Sequence, residues 1–190
     1  MKLVVVICHY QEDISWVNNL KHDYVIYNKN IANNHLFTHN IENYGFDTIA
    51  YINYILENYN NLPDYICFSQ DNPFFHCSSF LDKVNNFNFD VNYLALGSTY
   101  IRDNQSIVDK TKKYGESLGL NVNLPIKFIN SAQCIVSKNL VLKNGLKIYE
   151  NILNSYPRNT VISETNYLLE YLWPTIFGFN DELNISINNC

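Results

Sequence analysis

The apolar run DYICFS at 64–69 ends in Gln70, Asp71 and Asn72, and Pro73 then stops the strand. Three consecutive oxygen donors at the end of a rigid element form a half-site for a hard divalent cation. Mg2+ or Mn2+ takes one or two carboxylates and completes its shell with water and substrate phosphates. Asp71 is the expected metal ligand, flanked by the side-chain carbonyls of Gln70 and Asn72. His9 and His76 each follow a predicted strand and are candidates to complete the shell. A plainer role is also open: Asp and Asn ahead of a proline close turns by hydrogen-bonding nearby backbone.

The elements that must position these groups are legible in the first seventy residues. LVVVIC (3–8) is a continuous β-branched run, as in a strand covered on both faces, which implies a parallel, helix-flanked sheet. DISWVNNL (13–20) reads as a short helix capped by Asp13, and YVIYNK (24–29) as a second strand. Over 47–59, Ile49, Ile52, Ile55, Leu56 and Tyr59 fall on one helical stripe, with Asp47 as the expected N-cap. The order β-α-β-loop-α-β points to a doubly wound α/β half, whose ligands sit outside the carboxyl ends of the strands.

Polar clusters fall at that edge. HYQED (9–13) offers His9, Tyr10, Glu12 and Asp13; NKN (28–30) offers Lys29; SQDN (69–72) follows the third strand. ENYG (42–45) brings Asn43 and Gly45 to the start of the strong helix. Together they are expected to wall one pocket, with Gly45 supplying a positive φ before the helix and Lys29 meeting phosphate. Asp47 already fills the helix N-terminus and repels a second anion, so no pyrophosphate is expected there. The chain has no GxGxxG or GxxxxGK[ST] segment, which argues against dinucleotide oxidoreductases and P-loop enzymes.

The second half is less regular. A short helix is expected at 78–87, a strand at 91–97, a strand at 127–137, one or two helices over 138–156, and a helix at 163–178 capped by Ser163 and ended near Pro174. The polar stretch 99–125 has weak helical periodicity and reads as a lid or substrate loop. Trp16 and Trp173 are expected in the core. No repeat or linker interrupts the chain.

With 190 residues, 47% of them hydrophobic, the chain suits one core and one domain. A net charge of −5 offers no footprint for nucleic acid or an anionic membrane. The five cysteines are odd in number and lack a CxxC pair, arguing against structural zinc and a disulfide framework and for a reducing, cytoplasmic compartment. No stretch has the length of a membrane span or the form of a signal peptide. The abundance of Asn follows a compositional bias and is not read as a binding device.

Taken in order, VVVICHYQEDISWV, VIYNKN, NYGFDTIAYINYILENYNNLPDYICFSQDNP, INSAQCIVSKNLV and LLEYLWPTIFG resemble a family of uncharacterised glycosyltransferase-like proteins of fungi and large DNA viruses. That family is similar to nucleotide-sugar glycosyltransferases of the GT-A fold. The resemblance implies a single-domain α/β, Rossmann-like mixed sheet flanked by helices, with a nucleotide-binding half at 1–75 and an acceptor-side half at 76–190. It implies transfer of a sugar from a nucleoside diphosphate sugar to an acceptor hydroxyl with help from Mn2+ or Mg2+. A viral origin would place the protein in host cytoplasm.

By the same resemblance Asp71 takes the place of the metal-binding DxD motif, although QDN stands there, and Glu12 and Asp13 fall where the donor base and ribose lie. An inverting enzyme also needs a carboxylate to take the acceptor proton. Glu164 has the expected position for that base, and Glu170 matches the E-x-x-W motif. Two other functions fit the same residues: a non-catalytic carbohydrate or nucleotide binder, and a metal-dependent phosphotransfer or hydrolytic enzyme.

Overall fold

β1 (Leu3–His9) is buried along its whole length. Val4, Val6 and Cys8 enter one apolar layer, while Leu3, Val5 and Ile7 enter the layer on the opposite face. A strand with no polar face belongs inside a sheet covered on both sides. The computed structural model describes residues 1–179 except 159 and 162. In it β1 pairs in parallel with β2 (Asp23–Asn28) and with β4 (Tyr65–Gln70), and β2 carries the short parallel strand β3 (His39–Asn40). Beyond β4 lie β8 (Cys134–Ser137), antiparallel to it, and β5 (Tyr93–Ala95), antiparallel to β8. The six strands thus form one mixed sheet in the order β3-β2-β1-β4-β8-β5.

α1 (Phe46–Asn58) covers one face of this sheet. The isoleucines at 49, 52 and 55 are fully buried there, each stabilising the fold by roughly 1.5–3 kcal/mol. α5 (Leu146–Ser155) and α6 (Glu164–Ile176) complete that layer, with Trp173 packed against Tyr51, Phe68 and Phe177. The other face is closed by α2 (Phe80–Asn85) and by Trp16, whose ring meets Phe74 and Phe80 edge-on. α4 (Lys138–Leu142) follows directly on β8.

Three segments differ from expectation. The predicted helix at 13–20 is a single 3-10 turn, Ser15–Asn19, and Asp13 accepts the Ser15 N–H at 2.9 Å and its hydroxyl at 2.7 Å. The stretch 99–125 is not an irregular loop. It holds β6 (Thr99–Ile101) and the fourteen-residue α3 (Gln105–Leu118), capped by Asn104, whose side chain accepts the Ile107 N–H. α3 buries Val108, Thr111, Gly115 and Leu118, enough apolar contact to fix it in place.

The strand predicted over 127–137 is two. β7 (Lys127–Ile129) pairs with β6 in a separate ribbon, and β8 joins the main sheet. Between them Ser131 (φ 85°) and Ala132 (φ 55°) turn the chain through left-handed backbone that side-chain-bearing residues rarely adopt.

Residues 30–40 fold around Asn28, which is fully buried. Its amide donates to Asn30 O, Asn34 Oδ1 and Asn40 Oδ1 at 2.8–3.0 Å, and its carbonyl accepts the Asn30 N–H. These asparagines are structural. Cys8, Cys67 and Cys134 are buried thiols, whereas Cys77 is disulfide-bonded, contrary to the expectation from the cysteine count. Among the described residues no helix is long and apolar enough to cross a membrane.

Candidate functional site

The sheet order reverses between β1 and β4, the place where open α/β sheets hold their ligands. A cavity of about 590 Å3 opens there. Cys8, Tyr10, Gln70 and Asp71 line it from the two central strand ends, and Phe46, Asp47 and Thr48 from the first turn of α1. Asn130, Ser131 and Ala132 approach from the β7–β8 turn, and Asn166, Glu170 and Trp173 from α6. A second cavity of about 520 Å3 shares Tyr10, Lys29 and Asn43 with the first and runs over the ends of β2 and β3.

Lys29 is buried at the end of β2, and its ammonium donates to the carbonyls of Tyr44 and Phe46. The charge therefore pins the 44–46 loop while lining both cavities. Gly45 (φ 63°) precedes the helix as expected, and a side chain there would collide with Ile49 and Tyr156. Asp47 does not cap α1. Gly45 holds the cap position, and Asp47 turns into the cavity, where Gln70 Nε2 donates to its Oδ2 at 2.8 Å. Burial raises the Asp47 pKa above the usual carboxylate value, and the Gln70 bond and the nearby Lys29 charge offset part of that rise.

Glu170 projects from α6, and its Oε1 accepts the Ser131 N–H at 2.9 Å. Burial raises its pKa, the Ser131 bond lowers it, and the Asp47 charge raises it further. Two carboxyls of increased proton affinity thus share the cavity. Gln133, wholly buried, fixes the turn beside them. Its amide reaches Leu96 O at 3.2 Å and Pro73 O at 3.4 Å, and its carbonyl faces the Gln70 N–H at 3.4 Å.

Asp71 is engaged differently from the metal-ligand expectation. Its Oδ2 accepts the N–H groups of Tyr10, Gln11 and Glu12 at 2.9, 3.3 and 3.2 Å, and Oδ1 accepts the Asn72 N–H at 3.1 Å. His9 Nδ1 stands 3.5 Å from the same Oδ2, and Trp16 Nε1 donates to the Asp71 carbonyl at 2.8 Å. The carboxylate holds the β1 loop in a nest of amides. Oδ2, already accepting three N–H groups, has no lone pair left for a cation, so Asp71 could offer one through Oδ1 alone. Gln70, turned to Asp47, and the exposed Asn72 supply no shell around it. Among the described residues no group of three His, Cys, Asp or Glu is arranged to hold a metal ion. A Mn2+ or Mg2+ ion at Asp71 would therefore have one carboxylate oxygen and no second protein ligand among the described residues, a poor fit for either ion.

The structure brings together seven of the expected residues on the main cavity: Tyr10, Lys29, Asn43, Gln70, Asp71, His76 and Glu170. It sets others apart. Glu12 and Asp13 are exposed and do not line it, nor do the buried His9 and Gly45 or the exposed Asn72. Glu164 is well exposed, ion-paired with Lys110 at 2.6 Å and not among the residues that line the cavity, whereas Glu170 is. Sequence reasoning missed Asp47 as a cavity residue, because a carboxylate before a helix reads as a cap. It also missed the 130–132 turn, whose signal was the polar pair Asn130-Ser131 interrupting an apolar run.

A protein-family model described as a protein of unknown function (DUF3431) matches residues 4–95. The match spans β1 to β5 and the α1 and strand-end walls of the cavity, and stops short of the 130–132 turn and Glu170. The chain matches no curated protein.

Proposed function

We propose that this chain is a glycosyltransferase of GT-A-like architecture, which binds a nucleoside diphosphate sugar at the β1–β4 crevice and transfers the sugar to an acceptor hydroxyl. One observation carries the proposal: a carboxylate of raised proton affinity, Glu170, stands in a cavity of about 590 Å3 where the strand order reverses. The volume lies within the range of small-molecule sites, and a general base works best with a pKa drawn toward the operating pH. Glu170 is also the residue that matches the E-x-x-W motif of the resemblance. In this scheme the acceptor oxygen attacks the anomeric carbon as Glu170 takes its proton, and the bond to the diphosphate breaks. Lys29 contributes the cationic side of the lining, while burial holds the His76 imidazole below its ordinary pKa, so it lines the cavity as a neutral group. No step is routed through a metal, since Asp71 is committed to backbone amides.

That same commitment favours a second function, a binding protein that retains the pocket without turnover. A cytoplasmic setting for either is a proposal from the sequence, and the disulfide at Cys77 weighs against it.

Thermal-shift measurements with UDP, GDP, CMP and their sugars, with and without Mn2+, test both functions, alongside an assay for release of the nucleotide. A ligand at a hundredfold excess over its Kd stabilises the native state by about 2.7 kcal/mol. The transferase is expected to be stabilised by one nucleotide family, to turn over its sugar, and to lose turnover but not binding in Glu170→Gln. Binding without turnover supports the second function. Absence of any shift removes both.

A further inference from the structure

The β7–β8 turn has a feature that neither the strand ends nor Glu170 alone explains. Ser131 is 7% exposed and lines the cavity, and its hydroxyl oxygen is buried with no hydrogen-bond partner among the described residues. Buried hydroxyls are usually paired, and this one, unlike the unpartnered hydroxyls of Tyr51, Tyr93, Ser137, Tyr156 and Thr175, borders the cavity, where a ligand can reach it. The same residue's backbone N–H holds Glu170 Oε1 at 2.9 Å, while Oε2 accepts no hydrogen bond from the described residues. A hydroxyl able to donate and a carboxylate oxygen able to accept therefore flank one side of the cavity.

The local backbone is built at a cost. Ser131 and Ala132 both adopt positive φ without being glycine, each costing on the order of 1 kcal/mol or more. Gly97 makes room for them: a side chain there would come within 2.9 Å of Asn130 O and 3.5 Å of Ser131 Oγ. Gln133 then ties the turn to β4 and to the chain beyond β5. A turn that only joined two strands would need neither the strain nor the orphan hydroxyl.

We infer that Ser131 and Glu170 together read a hydroxyl group of the ligand, Ser131 Oγ donating to its oxygen and Glu170 accepting its proton. The chemistry selects this class. An ammonium cannot accept from Ser131, and an ionised phosphate or carboxylate cannot donate to Glu170 and is repelled by it and by Asp47. A hydroxyl does both at one atom. This deepens the transferase proposal and rests on it: Ser131 becomes a positioning residue for the hydroxyl whose proton Glu170 takes.

The test uses the whole chain with Ser131→Gly, Ser131→Ala and Ala132→Gly, probed by saturation-transfer NMR with millimolar glucose, galactose, mannose, xylose and N-acetylglucosamine. Glycine suits φ 85° and keeps the N–H that holds Glu170, so Ser131→Gly removes the hydroxyl without endangering the fold. Saturation of at least one sugar is expected in the wild type and in Ala132→Gly, with affinity falling roughly five- to tenfold in Ser131→Gly and Ser131→Ala. The carboxyl titration of Glu170, followed by 13C NMR, is expected to be unchanged in Ser131→Gly, separating the hydroxyl from the amide. Equal saturation in wild type and Ser131→Gly overturns the inference, as does a wild type that saturates none of the sugars. Failure of the transferase proposal is scored separately, by the nucleotide thermal shifts of the wild type.

Discussion

Gln70 Nε2 donates to Asp47 Oδ2 at 2.8 Å, joining the end of β4 to the first turn of α1 across the cavity. The bond explains why Asp47 lines a site instead of capping a helix. It also sets a pH dependence. Burial raises the Asp47 pKa in the folded state, so the native protein binds more protons than the unfolded chain above the ordinary aspartate pKa. Stability contributed by this group therefore falls as pH rises from about 4 through the folded pKa, and stays reduced at neutral pH. Asp47→Asn, which keeps a hydrogen bond to a rotated Gln70, is expected to raise the Tm at pH 7. Partial exposure limits the gain to on the order of 1 kcal/mol, roughly 2–4 °C. The gain should vanish near pH 4, and a Tm difference independent of pH would contradict the argument.

Asp71 holds three consecutive amides of the β1 loop, and its removal should act on the fold whether or not metal is present. Asp71→Ala is expected to destabilise by about 2–3 kcal/mol, and Asp71→Asn by less, since one acceptor oxygen remains. Neither loss should change with Mn2+ or chelator in thermal melts. A Mn2+-dependent rise in the wild-type Tm that disappears in Asp71→Asn would restore the metal-ligand role.

The first half of the fold was legible because its signals are local. A β-branched run with no polar position can only be an inner strand, and the stripe of Ile49, Ile52 and Ile55 needs one buried helix face. The edge on which the site lies followed from those elements. What Asp71 does there did not follow, because its partners are backbone amides about sixty residues earlier, invisible to residue type. The second half depends on long-range packing. α3 looks polar in sequence because only four of its residues face inward, and β7 and β8 run together as one apolar stretch because a left-handed turn at Ser131 carries no glycine to announce it. Glu170 was found by motif and Glu164 by position, and only the tertiary contacts with Ser131 and Lys110 separate them.

Gly115 tests whether α3 is a fixed part of the fold. A Cβ there would lie 2.5 Å from Val122 Cγ2 and 3.3 Å from Leu172 Cδ2 on α6. Gly115→Ala would gain helix propensity of just under 1 kcal/mol if the helix were free. Packed as it is, overcrowding should prevail and the variant should lose about 1–3 kcal/mol. Urea unfolding distinguishes the signs: a stabilised variant would mean that 99–125 moves as a lid after all.

Cys8 lines the cavity next to Asp47, yet it is expected to be inert. Burial raises its thiol pKa well above the ordinary value, and the Asp47 carboxylate raises it further. Cys67 and Cys134 are also raised by burial, Cys134 to about 12. Only the thiolate attacks a disulfide reagent, so none of the three should react with DTNB in native protein at pH 8, and all three should react in guanidinium. Cys77 should remain blocked in denatured protein until a reductant is added. Asp47→Asn removes the neighbouring negative charge and should make Cys8 the first native thiol to react, faster than in the Asp71 variants, because Asp71 raises the Cys8 pKa less than Asp47 does. Rapid labelling of Cys8 in the wild type would instead mean that the cavity stabilises a thiolate there, and the electrostatic picture of Asp47 and Lys29 beside it would have to be reversed.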